Sequence, residues 1–116
     1  MNKSILVIED SPTQALALRA LLEINDLDVT HAATGTEGLA LARTLKPAVI
    51  ILDIQLPDMD GFQVCQTLKH WPETVSLPVI MLTQYDEHTA VVHGLQLGAL
   101  EYIPKDAFAD SVLVNT

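Results

Sequence analysis

A chain of 116 residues with a formal net charge of −9 and one cysteine is long enough for a single domain that buries roughly two thirds of its unfolded surface without disulfides. Its six Lys and Arg residues are scattered, which excludes a nucleic-acid surface, because affinity for a phosphate backbone comes from grouped cations. No apolar run reaches the length of a membrane span and the first ten residues lack a signal peptide's pattern, so a cytoplasmic protein is expected.

The chain alternates strand and helix signals joined by short connections. Ser4 to Ile8 is a buried strand. Glu9-Asp10-Ser11-Pro12 ends it and opens a helix: Asp10 or Ser11 can cap, and Pro12 suits the first turn. Leu16, Leu18, Leu21, Leu22 and Ile24 are the expected apolar face, and Asn25-Asp26 breaks the helix. Asp28 to Ala32 is a more polar strand, as at a sheet edge. Thr34-Gly35-Thr36-Glu37 opens a helix bearing Leu39, Leu41, Ala42 and Leu45, which Lys46-Pro47 closes. Val49-Ile50-Ile51-Leu52 is an unbroken aliphatic run, suited to a strand covered on both faces, and Asp53 ends it.

Asp60-Gly61 turns into a helix with Phe62, Val64, Cys65 and Leu68, where Cys65 is expected to be a small core residue rather than a nucleophile. Asp58-Met59-Asp60-Gly61 faintly resembles part of a calcium loop but lacks the remaining ligands, so a turn is expected. His31, His70, His88 and His93 lie at spacings that do not suggest a metal site. Val79 to Leu82 is a fourth buried run, stopped by Thr83; a helix from about Asp86 to Leu97, a strand from Leu100 to Ile103 and a final helix opened by Pro104-Lys105-Asp106 complete the alternation.

Such a pattern predicts an α/β fold: a five-stranded parallel doubly wound sheet, flavodoxin-like, in the order 2-1-3-4-5, with five helices. In that order the ligand crevice lies where strands 1 and 3 diverge, beyond their carboxyl ends. Glu9, Asp10 and Asp53 then meet at one edge, which also receives Thr83 and Lys105. Two carboxylates about 4 Å apart repel by roughly 1 kcal/mol in water and roughly 4 kcal/mol at an effective dielectric near 20, so three together call for a cation. Mg²⁺ suits hard oxygens and is commonly held by one or two carboxylates and a phosphate oxygen. With Lys105 and Thr83 opposite, the set predicts phosphoryl transfer in which Asp53 attacks phosphorus and becomes an aspartyl phosphate.

The segments Ile5-Leu6-Val7-Ile8-Glu9-Asp10, Leu52-Asp53-Ile54-Gln55-Leu56-Pro57-Asp58-Met59-Asp60-Gly61, Val79-Ile80-Met81-Leu82-Thr83 and Tyr102-Ile103-Pro104-Lys105, in this order, resemble the receiver domain of two-component response regulators. The resemblance covers nearly the whole chain. It implies a histidine kinase or phosphotransfer protein as donor, phosphorylation on Asp53, slow self-dephosphorylation, and Mg²⁺ held by Asp10, Asp53 and the Gln55 carbonyl, with Glu9 acting through a metal-bound water. Thr83 and Tyr102 match the pair that moves on phosphorylation. Two departures stand out. Glu9 occupies a position where many members have Asp, and Asp106 follows Lys105 where Pro is frequent, so a trans bond or a locally adjusted loop is expected there.

The domain is expected to span residues 1–116, with a short last helix and any output domain outside this chain. Val92, Leu97 and Leu100 suggest an apolar patch on the face formed by residues 86–106, a site for a phosphorylation-dependent homodimer or output partner. Two alternatives to phosphoacceptor signalling are weighed. A degenerate interaction domain is opposed by the intact set of Glu9, Asp10, Asp53, Thr83 and Lys105. An aspartate-nucleophile phosphatase is opposed by Gln55, which stands where such enzymes place a second acid.

Overall fold

The computed structural model describes the main chain of residues 2–83 and 101–104, with side chains through Leu82. Its elements are β1 (Ser4–Ile8), α1 (Pro12–Ile24), β2 (Asp28–Ala32), α2 (Gly35–Leu45), β3 (Val49–Asp53), α3 (Gly61–His70), β4 (Val79–Thr83) and β5 (Glu101–Pro104). All strand pairs are parallel. The sheet runs β2-β1-β3-β4, with the four residues of β5 beside β4. The predicted order holds for these first four strands together with three helices. The helix expected over 86–97, Leu100, and the final helix with the Lys105-Asp106 bond lie outside the described residues.

The aliphatic runs become central strands because both faces of the sheet are covered. Along β1 and β3, side chains alternate between two cores. Leu6, Ile8, Ile50 and Leu52 point to one side, where they pack with Val79, Met81, Ala42 and the α3 residues Val64, Cys65 and Leu68. Ile5, Val7 and Ile51 point to the other, where they meet Leu82 and Leu18 of α1. By contrast, β2 buries only Ala32, as its polar sequence and its place at the sheet edge require.

Each of the three described helices starts with a side-chain cap. Ser11, rather than Asp10, caps α1, accepting from the Gln14 amide at 3.3 Å. Thr34 caps α2 through the Glu37 amide at 3.1 Å. Asp60 and Gln63 form a capping box at α3. Chain reversal after α2 uses Lys46 in a left-handed conformation, φ 48°. At the far end, Arg43 of α2 stacks 4.6 Å over the Trp71 ring and pairs with Glu73 at 2.8 Å, tying α2 to the segment after α3.

One helix differs from expectation in its phase. α1 buries Ala15 and Leu18, and Leu21 and Leu22 pack partly beside them, whereas Leu16 is 68% and Ile24 74% exposed. The segment Ala15 to Ile24 is apolar around most of its circumference, so contact with the sheet, rather than the pattern, selects the buried stripe.

Candidate functional site

The parallel register builds the site. Ile8 pairs with Leu52, so the residues that follow, Glu9 and Asp53, emerge side by side at the carboxyl edge of the sheet. Asp10 comes next, on the turn into α1. One carboxylate oxygen from each of Glu9, Asp10 and Asp53 can be chosen so that all three lie within 4.8 Å of one another. Asp10 is exposed, whereas Glu9 is fully buried and Asp53 is 2% exposed.

The ligand chemistry is all hard oxygen, which favours Mg²⁺ or a similar ion over zinc. Oxygens bound directly to one Mg²⁺ stand at most about 4.2 Å apart, twice the usual bond length. The observed spread is only slightly wider. The set therefore fits a divalent cation with a small closure, or with water between one carboxylate and the ion.

Main-chain amides hold two of these carboxylates, those of Asp53 and Glu9, in place. The Gln55 amide donates to Asp53 Oδ1 at 3.2 Å, and the Ser11 amide donates to Glu9 Oε2 at 3.3 Å. The loop after Asp53 is fastened at several points. Gln55 and Asp60 form an antiparallel bridge, and the Gly61 amide donates to the Ile54 carbonyl at 2.6 Å. Gly61 is there because α3 starts against the backbone at the end of β3: a Cβ at this position would run into the Asp53 carbonyl oxygen and Ile54 Cα.

Asp58 closes the far side of that loop onto α2. Its carboxylate accepts from the Thr36 hydroxyl at 2.6 Å, the Thr36 amide at 2.9 Å and the Gly35 amide at 2.8 Å. These bonds, the hydroxyl's first, hold its pKa at about 2, below the ordinary 3.8. A carboxylate at a helix N-terminus also meets the positive end of the helix dipole. The stretch read as a plain turn thus does three jobs: Asp58 binds α2, Met59 packs on Gly35, and Asp60 caps α3. Cys65 lies in the core, and burial raises its thiol pKa, as suits a packing residue.

Of the residues singled out in the sequence, Glu9, Asp10, Asp53 and the Gln55 backbone are thus gathered at one edge. Thr83 ends β4, directly after Leu82, the partner of Asp53. Tyr102 pairs with Met81 in the β4–β5 ladder. The side chains of both, and all of Lys105, lie outside the described residues. Sequence reasoning missed two residues. Asp58 carried no visible signal, because its partners are 22 and 23 residues away. His31, which its sequence marks only as a residue of an edge strand, places its Nε2 2.6 Å from the Glu9 carbonyl oxygen.

Comparison with known proteins agrees with this geometry. The family model for the response regulator receiver domain matches residues 5–115. The chain is 39% identical to protein PilH of Pseudomonas aeruginosa over 94% of its own length and 90% of that protein. It is 42% identical to PhoP of Bacillus subtilis, an alkaline phosphatase synthesis transcriptional regulatory protein, over 90% of the chain but only 43% of PhoP. Among solved structures, the BeF3-activated N-terminal receiver domain of Klebsiella pneumoniae RstA superimposes with a TM-score of 0.83 at 29% identity, covering 97% of this chain and 93% of that one. Among the described residues, no helix is long and apolar enough to cross a membrane.

Proposed function

Since the chain belongs to the response regulator receiver domain family, we propose that it is a signalling module whose Asp53 takes a phosphoryl group from a phosphohistidine on a partner histidine kinase or phosphotransfer protein. The observation that carries this reading is the cluster of Glu9, Asp10 and Asp53 at the carboxyl edge of β1 and β3.

The chemistry follows from these residues. An Asp53 carboxylate oxygen attacks phosphorus, the phosphorus–nitrogen bond of the donor breaks, and its electron pair stays on the imidazole nitrogen, which takes up a proton. The bond from the Gln55 amide to Asp53 Oδ1 orients the carboxylate. Mg²⁺, held by Asp10, Asp53 and the Gln55 carbonyl with Glu9 acting through water, would neutralise charge on the transferred group. Lys105 and the Thr83 hydroxyl act as cation and donor toward the remaining phosphoryl oxygens. Hydrolysis of the acyl phosphate by water returns Asp53 to its starting state.

The reading extends to the rest of the domain. Residues 1–116 make one receiver domain, its sheet completed as 2-1-3-4-5 and its helices numbering five. Thr83 and Tyr102 switch together, biasing an existing equilibrium, and the 86–106 face meets a second copy or an output partner. The module works in the cytoplasm. The test is covalent labelling. With acetyl phosphate and Mg²⁺, the protein should gain one phosphoryl group by intact mass, and Asp53→Asn should gain none. Equal labelling of both would remove Asp53 from its role.

A further inference from the structure

We infer that His31 is a positioning residue for the cation site, holding the Glu9–Asp10 peptide in the orientation from which both carboxylates reach the ion. This rests on the phosphoacceptor reading above and adds a residue outside the acidic set.

The argument starts at the end of a strand. In the β1–β2 ladder the last pair is Ile8 with Ala32, and one further bond follows, from the Glu9 amide to the Ala32 carbonyl at 3.0 Å. There the ladder stops, because the chain turns toward the Thr34 cap of α2. The Glu9 carbonyl accepts instead from the His31 ring, at 2.6 Å from Nε2. A carbonyl only accepts, so Nε2 carries the hydrogen. Both main-chain groups of Glu9 are therefore held by two consecutive residues of β2.

Position 31 is an unexpected place for this ring. Val29, two residues earlier on the same face, packs with the apolar cluster beneath α1, and the alternation asks for another apolar side chain at 31. Histidine lines a cleft of about 180 Å³ there with Pro12, Ala15, Leu16 and Arg19. The carbonyl it binds belongs to the peptide joining the two adjacent acids of the site. Rotation of that peptide would redirect Asp10 relative to Glu9, and the spread of 4.8 Å leaves little room for such a change. The bland alternative is that His31 merely satisfies a strand-end carbonyl. In that case its loss would change stability but not affinity for the ion.

The experiment is a calorimetric titration with MgCl₂ of the wild type, His31→Gln, His31→Asn and His31→Leu, with urea unfolding of each in the absence of the metal. Gln carries an amide N–H at about the reach of Nε2, whereas Asn is too short and Leu has no donor. Gln should stay within about twofold of wild-type affinity, and Asn and Leu should lose about tenfold, as is usual when the partner of a site's frame is removed. Should Leu fail to fold, the Gln–Asn pair decides alone, since the two differ only in reach. Wild-type affinity in Asn and Leu overturns the inference, as does a Gln variant as weak as Asn. If the wild type is labelled on Asp53 but its Mg²⁺ affinity ignores position 31, only the His31 inference fails. A wild type that takes neither Mg²⁺ nor a phosphoryl group overturns both.

Discussion

Asp58 shows how one carboxylate away from the reacting atoms can shape the site. Its three bonds to Gly35 and Thr36 favour the ionised form, so its folded pKa of about 2 lies below the ordinary 3.8. A depressed folded pKa means the unfolded chain binds the proton more readily. The stabilisation is therefore complete above 3.8 and fades as pH falls toward about 2. Urea unfolding of wild type and Asp58→Asn between pH 6 and pH 2 should show a less stable variant at the upper end and a gap that closes at the lower end. A gap that does not vary with pH would mean that the carboxylate's charge contributes nothing. The same electrostatic reasoning, with opposite sign, applies to Asp10. Its charge adds to repulsion in the empty cluster, so Asp10→Asn should be at least as stable as wild type without metal and nearly indifferent to Mg²⁺ by thermal melting. A strong remaining response would move the ion elsewhere.

At the scale of elements, the junction of β3 and α3 is the tightest constraint. Gly61→Ala would drive a methyl into the backbone of Asp53 and Ile54. Neither can retreat without moving a central strand, so a loss of about 1–3 kcal/mol in urea unfolding is expected, with weaker Mg²⁺ binding. Gly35→Ala meets chiefly Met59, whose Cγ and Sδ lie 2.5 and 2.8 Å from the added Cβ. A flexible thioether yields where backbone does not, so this variant should lose less; the reverse order would contradict the packing described. Much of this level was legible in the sequence. The aliphatic runs of β1 and β3 and the acids that end them follow from local composition, and so do the helix starts near Ser11, Thr34 and Asp60, though not which side chain caps each. What stayed hidden was long-range or a matter of phase. The face of α1 was obscured because Leu16 and Ile24 are as apolar as Leu18, and the partners of Asp58 and His31 come from other elements.

For the whole molecule, the sheet order gathers three acids at one edge, so binding of the proposed ion should be linked to folding. Mg²⁺ at a hundred times its dissociation constant should add about 2.7 kcal/mol of stability, measurable as a rise in melting temperature. Unchanged melting would argue against a site in the folded state. On activation, beryllofluoride with Mg²⁺ should change amide exchange across residues 86–106 or produce self-association in sedimentation. If neither occurs, and no partner binding appears, the proposed output face loses its support. Finally, consider the loop that follows Asp53. It is fastened through Gln55, Asp58, Asp60 and Gly61 before any phosphoryl group arrives. Its conformational freedom is given up once, when the chain folds. On the function proposed above, each round of signalling would begin from a loop already in place, and its tempo would be left to the chemistry of the acyl phosphate and to encounters with the donor.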